Sequence, residues 1–275
     1  MPRAMWNGAL SFGLVTVPVK LYPATSPKDI RFNQLHDDDH GRIQMKRVCS
    51  KDGQEVPYDK IVKGYEVAPE QYVIIRPEEL EQLDPEASRS IDILDFVPLA
   101  QIDPVFFENA YFLVPDQVGT KAYALLLAAM KDSQRVAIAS MVMRGKQYLC
   151  AIRPTQKALA LSTLLFVDEV NKAEDIEGLP EGLPKVDPRE LAMAKQLIDT
   201  LSADFEPGKY KDDYRERVLE LIRQRAAGEV VTVKAPAAKP GKVVDLADAL
   251  EETLKMVREK RAAATAAKAP KKGEA

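Results

Sequence analysis

Two histidines, His36 and His40, flank the carboxylates of Asp37, Asp38 and Asp39, and Cys49 follows on the same stretch. Imidazole, carboxylate and thiolate are the ligands of a zinc-like ion, and i, i+4 spacing would put both rings on one helical face. Gly41, directly after His40, breaks such a helix, and Cys49 has no second cysteine at CxxC spacing. The segment therefore reads as a solvated acidic turn. Asp168-Glu169 is a lone acidic pair at the end of a strand pattern, too little for a nuclease centre. There is no Gly-rich phosphate loop followed by Lys-Ser or Lys-Thr, and no Gly-x-Ser-x-Gly elbow. No catalytic residue, metal or cofactor is expected.

The chemistry that remains is positive charge. The chain of 275 residues carries a net charge of −3, which on its face argues against nucleic acid. Its charge is nevertheless laid out in blocks. Between 121 and 157 the basic residues are Lys121, Lys131, Arg135, Arg144, Lys146, Arg153 and Lys157, against the single acid Asp132, while the stretches on either side are strongly acidic. A basic block between acidic ones can form a local positive surface on an acidic protein. Arg42, Lys46, Arg47 and Lys51 form a smaller group upstream. Lysine and arginine neutralise phosphates without reading bases, so dispersed cations suit backbone binding with no sequence preference. No helix dense in Arg, Asn and Gln offers base readout.

The elements that must position these residues are mostly strands. LSFGLVTVPVKLY over 10–22 alternates and reads as one strand, with Pro18 marking an edge or bulge. Residues 42–49, 71–76 and 158–167 read as further strands. Residues 135–143 and 147–153 form a hairpin around Arg144, Gly145 and Lys146. Short spacing between strands indicates a β-barrel or sandwich body. Tyr65, Tyr72, Phe106, Phe107, Tyr111 and Phe112, all with apolar neighbours, are expected in the core. Trp6, beside Gly8, is expected as a packing anchor.

Helices are expected over 120–131, 187–202 and 211–227. The second starts with an Asp187 cap, Pro188 at its first position and Glu190, and carries a stripe of Leu191, Ala194, Ile198 and Leu201. The third has Tyr214, Val218, Leu221 and Ile222 on one stripe, acids at its start and Gly228 as its stop. A Pro/Ala/Lys linker follows Lys234, then one more amphipathic pattern over 245–260 and an Ala/Lys-rich end expected to be flexible. Two cysteines are too few for a disulfide framework, and no apolar run approaches the roughly 18–20 residues that span a bilayer. A soluble chain without a signal peptide, in a reducing cytoplasm and with no membrane partner, is expected.

Several stretches resemble the bacterial Ku family in order along the chain. They are Arg3, Trp6 and Gly8 with SFGLVTVPVKLYPAT; HDDDHGRIQMKRVCSKDGQEVPYDKIVKGYEV; Arg135-Val136-Ala137-Ile138 with VMRGKQYL and IRP; and ELAMAKQLID with FEPGKYKDDYRERVLELI. The resemblance runs from about residue 3 to 228. It implies a mainly β fold with α: a Ku-core β-barrel and DNA-encircling strap over 1–186, a helical segment over 187–232 that supports the dimer and meets a ligase, and a flexible basic tail over 233–275. It places the basic block at the barrel-to-strap region. The implied job is that of a homodimeric ring on double-stranded DNA ends, cytoplasmic and nucleoid-associated, that recruits an ATP-dependent DNA ligase (ligase D). Candidate DNA contacts are Arg42, Lys46, Arg47, Arg135, Arg144, Lys146 and Arg153; candidate ligase contacts are Arg215 and Arg223, on the polar face of the 211–227 helix with Glu216. A sequence-independent architectural coat and a weak abasic-site lyase activity stand as alternatives.

Overall fold

In the computed structural model, which describes residues 2–83, 89–180, 182, 184–228 and 249–259, the N-terminal alternation is carried by two strands, not one. β1 (Trp6–Phe12) and β2 (Val15–Pro23) form an antiparallel hairpin in which Phe12 pairs with Val15. Gly13, at φ +58°, supplies the positive φ that a two-residue hairpin turn requires. The single strand expected over 10–22 is thus corrected; the turn contains no polar residue, and its glycine is its one mark. Val17, Val19 and Leu21 point inward as alternation demands, while Val15 at the tip is exposed. Pro18 sits where its missing N–H costs nothing. Its carbonyl accepts from the Asp116 amide at 2.9 Å, so its nitrogen faces β6 (Phe107–Pro115) just beyond that strand's end.

With β5 (Ser90–Pro98), β7 (Arg135–Met143), β8 (Lys146–Pro154) and β9 (Leu159–Leu164), these strands close a seven-stranded barrel in the order β1-β2-β6-β9-β8-β7-β5. Neighbours are antiparallel except β1 and β5, which close the barrel in parallel. The β7–β8 turn is two residues, Arg144 (φ 56°) and Gly145 (φ 73°), the backbone of a type I′ turn. β9 stops at Leu164, short of the expected 167. Inward residues from alternate positions, among them Leu10, Leu21, Ile91, Leu113, Met141 and Ile152, fill the interior. Gly8 lets the barrel close: a Cβ there would collide with the Arg89 carbonyl oxygen and the Trp6 ring. Trp6 is thus a packing anchor laid across its neighbouring glycine.

α2 (Thr120–Asp132) brings Tyr123, Leu126 and Met130 into the same core. The Tyr123 hydroxyl donates to the Leu113 carbonyl at 2.6 Å and accepts from the Leu159 amide at 2.7 Å. Leu113 and Leu159 are the last partners of β6 and β9, so a helix side chain completes the ladder where the strands part. Cys150 lies in this interior, and burial pushes its thiol up to about 12. The thiolate is the nucleophile, so near pH 8 only about one Cys150 in ten thousand can react. In the native protein a thiol-specific reagent should therefore modify Cys49, which is only half-buried, and a second equivalent should react only after unfolding. Fast native labelling of both thiols would refute this placement.

Between β2 and β5 the chain runs out into an arm. It contains a two-stranded sheet of β3 (Lys63–Ala68) and β4 (Gln71–Ile75), then α1 (Pro77–Leu83). Among its residues 24–80 and 89, none is buried. The strand expected over 42–49 is absent as a ladder: Arg42 and Val48 each make one isolated bridge, to Leu35 and Glu55. Its alternation has no surface to fold onto; Met45 is 85% exposed. Tyr65 and Tyr72 project from the arm, and Phe112 from the outer face of β6, so of the expected core aromatics only Tyr111 is buried. The basic block is spread over α2, β7 and β8 of the barrel, and only part of it, Arg153 and Lys157, comes near the root of the arm after β2.

Residues from Gly178 onward form a second compact unit, dividing from the first at Glu177 rather than after 186. It holds α3 (Pro188–Leu201), α4 (Asp213–Ala226) and α5 (249–259). Asp187 caps α3 by accepting from the Arg189 and Glu190 amides, and Asp212 caps α4 by accepting from the Arg215 amide. On α3 the expected apolar stripe is largely uncovered: Leu191, Ile198 and Leu201 are all exposed. Apart from α5, the expected linker and tail over 233–275 lie outside the described residues. Among the described residues no helix is long and apolar enough to cross a membrane.

Candidate nucleic-acid interface

The seven cations singled out in the sequence fall in three places. Arg42, Lys46 and Arg47 lie on the arm. Arg144 and Lys146 lie at the β7–β8 turn. Arg135 and Arg153 lie at the opposite end of that hairpin, about 30 Å away for a nine-residue strand.

Their surroundings differ as much as their positions. Arg42 Nη2 donates to Asn33 Oδ1 at 2.7 Å. Lys46 is paired with Glu55 at 2.8 Å, and the Arg47 guanidinium stands 5.3 Å from the Tyr58 ring centroid. Lys146 is paired with Glu169 at 3.1 Å and lies 5.4 Å from the Tyr148 ring. The Lys146 ammonium is held above its ordinary pKa, chiefly by its hydrogen bond to Glu169. Glu169 is held below its ordinary value, first by the Phe166 amide and then by Lys146. Among the described residues Arg135, Arg144 and Arg153 have no carboxylate within ion-pair distance. The same holds for Arg42 and Arg47, so of the seven only Lys46 and Lys146 have their charge compensated by a described carboxylate.

The acidic turn that resembles a metal cluster is occupied by its own bonds. His36 Nδ1 lies 3.0 Å from Asp39 Oδ1 and Nε2 lies 3.4 Å from Asp38 Oδ2, while His40 sits at φ 57° in the turn. Among the described residues no three His, Cys, Asp or Glu side chains converge to hold a metal.

On α4, Arg223 is exposed and paired with Glu220 at 2.9 Å. Arg215 is half-buried, in line with Val218 and Leu221, so it shares the less exposed face and not the outer one. Tyr214, expected on the apolar stripe, is 71% exposed. Sequence reasoning also passed over the outward aromatics of the barrel. Their signal is parity: a residue beside an inward leucine on a strand must face out.

A family model described as the Ku70/Ku80 beta-barrel domain matches residues 11–193. The chain is 52% identical over 262 residues to the non-homologous end joining protein Ku of Anaeromyxobacter sp. (strain K), covering 94% of this chain and 87% of that one. It is 43% identical to the protein of the same name from Heliobacterium modesticaldum, covering 93% and 92%. Identity to the Bacillus subtilis protein of that name is 38%, covering 98% and 89%.

Proposed function

This chain belongs to the Ku family, and from that premise we propose that it serves non-homologous end joining by holding double-stranded DNA ends. It binds without reading sequence, as a homodimeric ring, and recruits an ATP-dependent ligase; it does no chemistry of its own. The observation that carries the ring is the arm. More than sixty residues leave the barrel with none of the described ones buried, yet Phe32, Met45, Val62, Tyr65 and Ile74 are displayed on it. Apolar surface of that extent is normally covered by a partner. A second arm of the same sequence supplies one by two-fold symmetry, and two joined arms enclose a channel. The uncovered stripe of α3 offers a further dimer surface, and α4, with Arg215 and Arg223, the ligase contact.

Topology then selects ends. On linear duplex the protein should survive excess competitor, whereas covalently closed circles of the same sequence should release it. Circularising the loaded linear molecule should trap it. Equal retention on closed circles would support the second reading, an architectural coat.

Phosphate contacts set the salt dependence, each contributing about 0.9 to the log–log slope on duplex DNA. Arg144→Gln should flatten the slope by about that amount. Lys146→Gln should flatten it less, because Glu169 already neutralises that ammonium. Measuring the slope for both variants checks the ordering; a larger change for Lys146→Gln would contradict it. Lys146 does not suit a lyase: a Schiff-base amine needs a lowered pKa, and its hydrogen bond to Glu169 shifts this one upward.

A further inference from the structure

We propose that the outer face of β2, β6, β9 and β8 is a platform for single-stranded nucleic acid, so that the protein holds the overhang of a broken end as well as its duplex. This rests on the end-binding reading above and adds a substrate class to it.

The strand register builds the site. Tyr22 pairs with Phe112, Phe112 with Ala160, and Ala160 with Arg153. These four residues form one row across four strands, about 14 Å from first to last at roughly 4.8 Å per step. Their chain neighbours Leu21, Leu113, Leu159, Leu161 and Ile152 point into the core, so the row points outward. Lys20 and Val114 pair in the next row, on the same face. Ala160 is itself covered, so the accessible members of the row are the aromatic pair on one side and the Arg153 guanidinium on the other. Thr25 and Thr155, with Lys157, stand around a cleft of about 1220 Å³. That exceeds the roughly 300–1,000 Å³ of a small-molecule site and suits a length of chain.

The chemistry is selective. Among the described residues no carboxylate lines the cleft. Among the described residues Lys20, Arg153 and Lys157 have no carboxylate within ion-pair distance. The occupant is therefore anionic. Duplex phosphates would use the cations but leave the rings idle, because paired bases are stacked on one another. An unpaired strand uses both: its bases stack on exposed aromatic faces while its phosphates meet the cations, without sequence preference. Phe112 is 39% exposed, so its ring is accessible to a base.

The test uses the full chain, a blunt duplex, the same duplex with a short dT overhang, and a dT12 oligonucleotide, with affinity read by fluorescence anisotropy. Stacking on one aromatic ring is worth about tenfold in affinity. The wild type should bind the overhang duplex about tenfold tighter than the blunt one. Tyr22→Thr/Phe112→Thr should lose that preference, keep its blunt-duplex affinity, and weaken on dT12 by a similar factor. Tyr22→Phe, which retains the ring, should behave as wild type. Lys157→Gln, at an exposed position, gives a second variant with no demand on the barrel and should also weaken on dT12. Failure to bind blunt duplex would count against end binding, and dT12 would still report on the platform. No overhang preference in the wild type, or a preference that survives loss of both rings, would overturn the proposal. So would displacement of a bound probe by polyglutamate but not by dT12, which would assign the face to an acidic protein partner.

Discussion

Excising residues 27–88 and bridging the gap with a Gly/Ser linker should leave a folded barrel that no longer stays on linear DNA. The barrel should survive because no described residue of the arm is buried in it. The gap can be spanned. Ala9 pairs with both Pro18 and Ser90, so Ser90 lies level with Pro18, five residues back along β2 from Pro23 and two strands across. That is about 20 Å, and about 12 Gly/Ser residues have a root-mean-square reach of about 19 Å. Arg89 is kept because its carbonyl accepts from the Ala9 amide at 2.7 Å. Losing the second binding half and the enclosure together should lower retention under competitor by about 10²–10⁴-fold, the range that linked binding adds. Light scattering should find a monomer, and the thermal transition of the barrel should persist. A shortened protein that remained dimeric and retained DNA would place both functions outside the arm.

Gly8→Ala should destabilise the barrel by about 4 kcal/mol or more, in the range reserved for severe packing defects. One added carbon would overlap the Arg89 carbonyl oxygen and the Trp6 ring. The oxygen is backbone and already bonded to Ala9, so relief requires prising β5 from β1, the one parallel pair and the closure of the barrel. Against a total stability of roughly 5–15 kcal/mol, that is a large share. Gly13→Ala is the control. There φ is +58° but nothing stands within 4 Å of the added carbon, so only backbone strain of roughly 1–2 kcal/mol is incurred. Urea unfolding of the two variants separates the cases; a Gly8→Ala midpoint at or above that of Gly13→Ala would refute the close approach.

The helices were legible because their ends carry chemistry. Asp187-Pro188 and Asp212 announce α3 and α4 by side chains that must satisfy free amides. Strands were legible where one face is wet and the other dry. β9, with six buried residues in a row and no alternation, was still read as a strand over 158–167, from its apolar run, and only its end was misplaced. β5 bulges between Ile93 and Asp95, which shifts its period midway, and it was missed. β6 carries apolar residues on both faces, Tyr111 and Leu113 inward and Phe112 and Val114 outward, so it read as core and not as a strand with a working surface. The segment 42–49 is the converse, a good alternation with no partner. At the candidate interface the cations were visible but their state was not. Lys46 meets Glu55, nine residues on, through a local turn, and Lys146 meets Glu169, 23 residues on, through the barrel; neither pairing is marked by spacing alone.

The way the arm is rooted has a mechanical meaning. It leaves from the end of β2 and returns at the start of β5, and these strands flank β1 and run antiparallel to each other. Both roots therefore emerge in the same direction, and a pull on the arm draws β2 and β5 along their own axes. The interstrand hydrogen bonds lie across that direction. They must slide together under load, where a peeled strand would lose them one at a time. Tension on the arm is thus shared along whole strands, and the barrel yields only at a force that breaks many bonds at once.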